Sequence, residues 1–532
     1  MTTLTGKNSI AGNWSAEGTQ TFTSVDPRTR QPGKVQFHNA TASEIDRAVS
    51  AAAEAFRQTR HYPASRLADF LDTAAAEIEK LRDELIEMAD YETALGSTRL
   101  TGELTRTTNQ LKAFGNLLRE GSYVEAIIDT ALPDRQPLPR PDIRRMLIPI
   151  GPVAVFSASN FPFAFATAGG DTASAFAAGC PVIVKGHPGH PATTELFTAA
   201  LNNAINISGF PAGFFSMVQG DSVEVGQTLV KHPLLEAVGF TGSLRGGRAI
   251  YDTAAQRPRP IPVYAEMGSI NPVVIMPGSV EARGDALIDA LAASATLGAG
   301  QYCTNPGLVL MLDSPDTDKF IQRYTEAMTA REPQVMLNAA IESGLARTVE
   351  QTVRSGGVDL LAGGETVTGG GFCYAHTVMK ADSAAFRSNP QLHHEHFGPV
   401  TLFVTCASLD DMRLTLESIE GQLTGTIHGE DDEIEDARPL LQALTERVGR
   451  LIWNGVPTGV EVSHAQQHGG PYPATTAPWS TSVGMMAIKR FMRPVAYQNI
   501  PPALLPDALK NENPLNILRI VNSEYTREPI KP

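Results

Sequence analysis

Between residues 147 and 276 the chain repeats one pattern: a short apolar run, then a stretch of small residues, then another run. Pro152-Val-Ala-Val-Phe156 and Pro181-Val-Ile-Val-Lys185 show no alternation of polar and apolar positions. Runs of that kind are strands buried on both faces, and such strands belong to parallel sheets covered by helices. The small-residue segments after them are read as those helices, and Val238-Gly-Phe240 begins a further unit. Alternation of this type predicts a doubly wound α/β fold. A second α/β region is expected from 263, at Pro262-Val-Tyr-Ala-Glu266, with another buried run at Pro272-Val-Val-Ile-Met276.

Two helices are legible upstream. Thr41 and Glu44 have capping-box spacing, and Ile45, Ala48, Val49, Ala52 and Phe56 recur on one face. A longer amphipathic stretch carries Leu67, Phe70, Leu71, Ala74, Ile78, Leu81 and Leu85. Residues 123–145 are Pro-rich and read as an excursion from the main body, such as a β-arm. A chain of 532 residues is too long for one small core, so two or three units are expected.

Composition narrows the function. A net charge of −14 argues against nucleic acid as a partner, because phosphate binding needs a concentrated basic surface. No run of 18 apolar residues is present, so no membrane span is expected. The first residues, MTTLTGKNSIAGNW, lack the apolar core of a secretory signal. The four cysteines, at 180, 303, 373 and 406, are too scattered for a disulfide framework. Together these point to a reducing cytoplasm.

Three residues stand in positions suited to chemistry. Cys303 lies in Gly300-Gln-Tyr-Cys-Thr-Asn-Pro-Gly307, after a helical Ala292–Leu297. A lone cysteine is usually a small buried hydrophobe, but Gly298 and Gly300 let the backbone approach a ligand, and backbone N–H dipoles would favour a nucleophilic thiolate. Glu266, in Ala265-Glu-Met-Gly-Ser269, ends an apolar run. It is either a salt-bridged carboxylate or a general base, and ligands of α/β sheets do gather at strand carboxyl ends. Asn160, in Ser157-Ala-Ser-Asn-Phe-Pro-Phe163, is a turn residue whose amide could also donate to an oxyanion.

Taken in order, Asn160-Phe-Pro162, Lys185, Phe240-Thr-Gly-Ser243, Glu266-Met-Gly-Ser269, Gly300-Gln-Tyr-Cys303 and Glu395-His-Phe-Gly-Pro399 resemble the signature segments of the aldehyde dehydrogenase superfamily. The resemblance covers nearly the whole chain. Met267 and Ser269 depart from the usual Leu and Gly, which touches local packing only. It implies a Rossmann-type cofactor domain (1–122 and 146–262), an α/β catalytic domain (263–480), a small β oligomerisation arm (123–145 and 481–500) and a C-terminal tail (501–532).

The resemblance also implies roles. Cys303 attacks an aldehyde, Asn160 and the Cys303 N–H hold the oxyanion, and Glu266 activates the water that hydrolyses the thioester. Phe240-Thr-Gly-Ser-Leu-Arg-Gly-Gly247 presents a helix N-terminus to a pyrophosphate, with Gly242, Ser243 and Gly247 in the turn. Ser157, Ala158 and Gly268 are counted with the cofactor site. Lys185 contacts the adenosine ribose, Glu395 the nicotinamide ribose, and Phe397 packs beside the nicotinamide. In the family a carboxylate commonly follows the strand-end lysine by three residues and would repel a 2′-phosphate; here that position is Pro188, with His187 beside it, so NADP⁺ is expected and NAD⁺ possible. His393-His-Glu-His396 invites a metal reading, but consecutive side chains diverge and no second cluster has zinc-like spacing, so no metal is expected.

Lys185-Gly-His-Pro-Gly-His-Pro191, Gln301-Tyr-Cys-Thr-Asn-Pro-Gly307 and Gly469-Gly-Pro-Tyr-Pro-Ala-Thr475 are similar to a branch holding α-ketoglutaric semialdehyde (2,5-dioxopentanoate) dehydrogenases and NADP-dependent fatty aldehyde dehydrogenases. The semialdehyde is the favoured substrate and the fatty aldehyde the alternative. A coenzyme A-acylating relative is disfavoured by Glu266, and a non-catalytic binding protein by the intact Cys303, Glu266 and Asn160. Family members pair through the arm, so a homodimer or homotetramer is expected.

Overall fold

Thr41 shows how local chemistry sets this chain's elements. Its hydroxyl accepts from Glu44 N–H while the Glu44 carboxylate accepts from Thr41 N–H, closing both ends of the box that starts the helix Ala42–Thr59. Ile45, Ala48, Val49 and Ala52 then lie buried on one face. The longer amphipathic stretch is two helices, not one. Ala64–Lys80 ends where Leu81 leaves helical dihedrals (φ −101°, ψ 13°), and Leu85 belongs to Arg82–Thr93. The computed structural model describes residues 3–531.

The first sheet runs, from one edge to the other, Val263–Glu266, Ala237–Thr241, Val153–Phe156, Val182–Lys185, Phe215–Val218, Asn8–Ile10 and Asn13–Ser15. The strands from 153 onward are mutually parallel, and the N-terminal hairpin adds antiparallel. The side-chain period of two feeds two cores. Val153, Val155, Val182 and Val184 face Phe70, Leu111, Phe114, Phe176 and Phe197. Ala154, Phe156, Ile183 and Val238 face Ile45, Val49, Val225 and Leu229. Helices thus cover both faces, as the uninterrupted apolar runs require. Each fully buried valine, leucine or phenylalanine contributes about 1.5–3 kcal/mol.

The strand Val263–Glu266 is the edge of this first sheet, paired to Ala237–Thr241. The second region therefore opens one strand later than its sequence texture suggests, at Pro272–Ile275. Its sheet runs Asp359–Ala362, Thr377–Asp382, Val400–Cys406, Leu308–Leu312, Pro272–Ile275, Gln422–His428 and Val448–Trp453, parallel apart from the first edge strand. Val274, Leu310, Leu402 and Ile427 pack on one face, and Val273, Val309, Met311 and Phe403 on the other.

Ile127–Asp129, Ile143–Pro149 and Met492–Gln498 are antiparallel neighbours in a separate five-stranded sheet. The C-terminal segment is not a bare tail. Arg519–Val521 and Glu524–Thr526 complete that sheet through a two-residue turn at Asn522 and Ser523, both with positive φ (50° and 74°). Its Arg519 is fully buried and donates to the Asn511 and Glu528 carbonyls. Among the described residues no helix is long and apolar enough to cross a membrane.

Candidate active site

Strand register creates the site. Phe156 lies opposite Lys185 on one side and Phe240 on the other, and Thr241 pairs with Glu266. The chain leaves the strand Val153–Phe156 in one direction, through 182–185 and 215–218, and returns to its other side at 237–241. Such a reversal leaves a crevice beyond the strand carboxyl ends.

A cavity of about 830 Å³ opens there, within the size range of ligand sites. Ser157, Ala158, Asn160, Lys185, His187, Pro188, Gly242, Ser243 and Glu266 line it from the first sheet's end. Gly268, Cys303, Glu395 and Phe397 line it from the second region's side. Gly247 does not. It sits in the helix Leu244–Ala255, where a Cβ would come within 2.6 Å of Met267, so it serves close helix–strand packing.

Cys303 is delivered by an abrupt turn. The helix Pro277–Thr296 ends, and Gly298, Ala299 and Gly300 take left-handed dihedrals (φ 57°, 56° and 68°). Gly300 admits no side chain, because a Cβ would lie 2.3 Å from the Gly398 carbonyl. Asn271 Nδ2 then donates to the carbonyls of Cys303 (2.8 Å) and Asn305 (2.9 Å), fixing the loop. The helix presents its C-terminal end toward this turn, so its own dipole does not favour a thiolate there. Burial first, then the Glu266 carboxylate, push the Cys303 thiol well above the ordinary range, with Arg106 opposing.

Glu266 is buried, and its carboxylate meets two partners that the sequence reading missed. Ser482 Oγ donates to Oε2, and His468 Nε2 lies 2.9 Å from Oε1. The same His468 Nε2 lies 3.5 Å from Cys303 Sγ, so thiol, imidazole and carboxylate meet at one point. Burial raises the Glu266 pKa, but His468, Ser482 and Cys303 outweigh it, and the carboxyl sits below its usual value. The 2.9 Å approach is not aligned as a hydrogen bond, which leaves Oε1 a lone pair for a proton. His468 Nδ1 is buried with no partner among the described residues.

These two residues arrive on the irregular segment after 466. Thr476 Oγ1 accepts from Ala265 N–H and donates to the Val263 carbonyl, pinning that segment along the strand that ends in Glu266. The only signal in the sequence was a histidine beside Gly469-Gly470.

Asn160 is buried, and its Nδ2 donates to the Gln301 carbonyl at 3.0 Å. An amide nitrogen carries two hydrogens, so one remains for a ligand. The Cys303 N–H makes no hydrogen bond among the described residues. Glu395 is raised to about 7 by burial, against one hydrogen bond from Ser269 N–H (3.3 Å). Ser269 does more than pack: its hydroxyl bonds Gln422 Oε1 and Leu423 N–H, tying the Glu395 contact to the second sheet. Gly268 lets Glu395 approach, since a Cβ would lie 2.5 Å from Oε2.

Lys185 Nζ donates to the Gly186 and Gly220 carbonyls, and burial lowers it to about 8. His187, two residues on, adds no positive charge to it. Burial, then His190 and Lys185, hold its pKa well below the usual value, and its Nδ1 accepts from Gly189 N–H (3.0 Å). Around Glu395 the histidine run splays: His393 bonds the Phe386 carbonyl and His396 bonds Thr352. Glu266, Cys303 and His468 offer ligand atoms within 4.8 Å of one another. The 2.9 Å between Nε2 and Oε1 is too short for two ligands of one tetrahedral ion, which bonds at about 2.0–2.2 Å would hold about 3.3 Å apart.

The aldehyde dehydrogenase family model matches residues 14–472. The chain is 44% identical to an alpha-ketoglutaric semialdehyde dehydrogenase of Acinetobacter baylyi over 527 residues, 99% of this chain and 100% of that one. It is 46% identical to alpha-ketoglutaric semialdehyde dehydrogenase 2 of Azospirillum brasilense over 522 residues, 97% and 98% of the two chains. The solved structure of betaine aldehyde dehydrogenase from Staphylococcus aureus superposes with a TM-score of 0.79 at 20% identity, covering 93% of this chain and 95% of that one, and shares its fold.

Proposed function

The chain belongs to the aldehyde dehydrogenase family, and we propose that it oxidises 2,5-dioxopentanoate (α-ketoglutaric semialdehyde) to 2-oxoglutarate through a thioester on Cys303. One observation carries the substrate: two full-length relatives at 44% and 46% identity bear that activity in their names. A kcat/KM panel of semialdehydes and long-chain aldehydes tests it. Equal or better use of the long-chain members would hand the reading to a fatty aldehyde.

The arrangement of side chains supports the chemistry. The resting thiol is protonated, so the nucleophile forms when Sγ gives its proton to His468 Nε2, 3.5 Å away, and Glu266 stays ionised beside the ring. The free hydrogen of Asn160 Nδ2 and the Cys303 N–H are the donors for the oxyanion of the resulting thiohemiacetal. A nicotinamide dinucleotide, when bound, supplies the acceptor for the hydride leaving that carbon. Glu266, ionised at neutral pH, takes a proton from the water that opens the thioester.

The cleft fits such a dinucleotide. Gly242 and Ser243 open the helix Leu244–Ala255 onto it, and Ser243 Oγ uses only the Gly246 N–H, leaving the other first-turn donors for a pyrophosphate. Glu395 and Phe397 would hold the nicotinamide end, Lys185 the adenosine ribose.

Cofactor choice turns on Pro188, which lines the cleft where a carboxylate would repel a 2′-phosphate. NADP⁺ is expected to serve at least as well as NAD⁺, the attraction coming from Lys185, since His187 is neutral. Pro188→Glu should move the ratio of kcat/KM values toward NAD⁺ by at least about tenfold. A wild-type ratio strongly favouring NAD⁺ would overturn this choice.

Assembly follows from the arm. Met492–Gln498 is the outer strand of its sheet, with mostly exposed side chains and one unpaired edge. A homodimer or homotetramer is expected. Light scattering at micromolar concentration should report a multiple of 56.9 kDa, and a particle of one chain's mass would refute it. The four cysteines are unpaired, as suits a reducing cytoplasm.

A further inference from the structure

The proposed substrate carries a carboxylate that the cofactor cleft gives no reason to bind. Outside the lining of that cleft, an aromatic group adjoins the nucleophile. Phe161 follows Asn160, Tyr302 precedes Cys303, and their rings meet edge to face at 5.3 Å. Phe161 also meets Phe165 at 5.3 Å, and Phe165 lies 6.4 Å from the His468 ring. Two arginines from one face of the helix Ser97–Glu120 stand over these rings. Arg99 sits 4.9 Å from Phe161 and 4.8 Å from Tyr302. Arg106 sits 5.4 Å from Phe165 and 5.9 Å from Phe161.

Their partners differ. Arg99 donates to the Asn160 carbonyl and lies 3.8 Å from Glu103, so it holds the turn that carries Asn160. Arg450, whose charge also reaches Cys303, is spent on the carbonyls of Pro457 (2.6 Å) and Gly459 (2.9 Å). Arg106 makes no hydrogen bond and no ion pair among the described residues, and its Nε is buried without a partner. Stacking on aromatic rings offsets only part of the cost of removing a guanidinium from water. Glu103, the carboxylate whose charge acts most strongly on Arg106, accepts from the Phe163 and Ala164 N–H groups and makes no ion pair with it, so the guanidinium keeps donors for an anion. The Arg106 charge is felt at both Cys303 and Glu266, so it faces the reacting end rather than bulk solvent alone.

We propose that Arg106 receives the distal carboxylate of the substrate, across the rings of Phe161 and Phe165, while Cys303 attacks the aldehyde carbon. This rests on the semialdehyde reading. In 2,5-dioxopentanoate the carboxylate lies four carbon–carbon bonds from the aldehyde carbon, about 5 Å when extended. The ligand class is therefore a short ω-oxo acid, held by a planar guanidinium that can grip both carboxylate oxygens. Glu461, the one exposed carboxylate whose charge reaches Arg106, forms no ion pair with it and leaves that grip free.

The test compares 2,5-dioxopentanoate with pentanal, an aldehyde of equal length without the carboxylate, in wild type, Arg106→Gln and Arg106→Lys. Arg106→Gln should lose about 100-fold in kcat/KM for the semialdehyde, mostly through KM, because truncating one partner of a buried charge pair is costly. Pentanal should lose far less than the semialdehyde, its loss falling on kcat because the Arg106 charge also lowers the Cys303 thiol pKa, and Arg106→Lys should recover part of the semialdehyde's loss. Calorimetry should show weaker binding of 2-oxoglutarate to Arg106→Gln. A parallel fall for pentanal, or an unchanged semialdehyde KM, overturns the assignment of Arg106 while a wild-type preference for the semialdehyde leaves the substrate reading standing. If wild type uses pentanal as well as the semialdehyde, the substrate reading falls and this assignment with it. Should Arg106→Gln not fold, the KM of Arg106→Lys on the two aldehydes decides alone.

Discussion

Cys303→Ala is expected to abolish aldehyde oxidation, lowering kcat by at least about 10⁴-fold, the scale seen when a covalent nucleophile is removed. The substitution removes one half-buried sulphur from a loop held by Asn271, so the fold and the cleft should survive. Cofactor should bind the variant as it binds wild type, which separates lost chemistry from lost structure. Iodoacetamide should inactivate the native enzyme by modifying Cys303, since Cys180, Cys373 and Cys406 are buried. The pH dependence has a sign. A thiol pushed above the ordinary value of about 8.5 is almost wholly protonated at neutral pH, so labelling should keep accelerating as pH rises past that value. Robust turnover by the alanine variant would overturn the mechanism. A labelling rate that levels off near neutral pH would mean that the His468–Glu266 pair already holds the proton in the resting enzyme.

The sequence was legible where chemistry sits on short, regular segments. Glu266 and Lys185 end strands whose apolar runs are unmistakable, and Asn160 and Ser243 follow such ends within a few residues. Once those strands are parallel neighbours, their carboxyl ends converge, and the cleft follows from topology. His468 and Ser482 obey no such logic. They come from an irregular segment 165 or more residues from their partners, and only tertiary docking of Thr476 on the strand at 263 brings them in. The same holds at the C-terminus, where three-residue strands separated by Asn-rich turns carry no period long enough to read. The apparent second region at 263 was one strand early because an edge strand of one parallel sheet and the first strand of the next share the same apolar texture. Leu81 interrupts its helix without the glycine or proline that would have announced it. Arg106 was unreadable for a further reason: only the structure shows that it lacks the hydrogen-bond partners that Arg99 and Arg450 possess.

Glu266→Gln should separate acylation from hydrolysis. The glutamate is buried, held by Ser482 and His468, and depressed below its usual pKa, so at neutral pH it is a carboxylate with an open lone pair on Oε1. Glutamine keeps the volume and an acceptor oxygen but cannot take a proton from water. Steady-state turnover should therefore fall by about 10²–10⁴-fold, the usual contribution of a general base. The first turnover should behave differently. The Glu266 charge is the second cause, after burial, of the high Cys303 pKa, so neutralising it lowers that pKa and eases thiolate formation, with His468 Nε2 still 3.5 Å from the sulphur. A rapid-mixing experiment should show a burst of NAD(P)H near one equivalent per active site, with a rate equal to or above that of wild type, followed by a slow phase. Mass spectrometry of the quenched variant should find the acyl group on Cys303. Loss of the burst would place Glu266 in acylation, as the acceptor of the thiol proton. Dependence of wild-type turnover on coenzyme A would remove hydrolysis from the mechanism altogether.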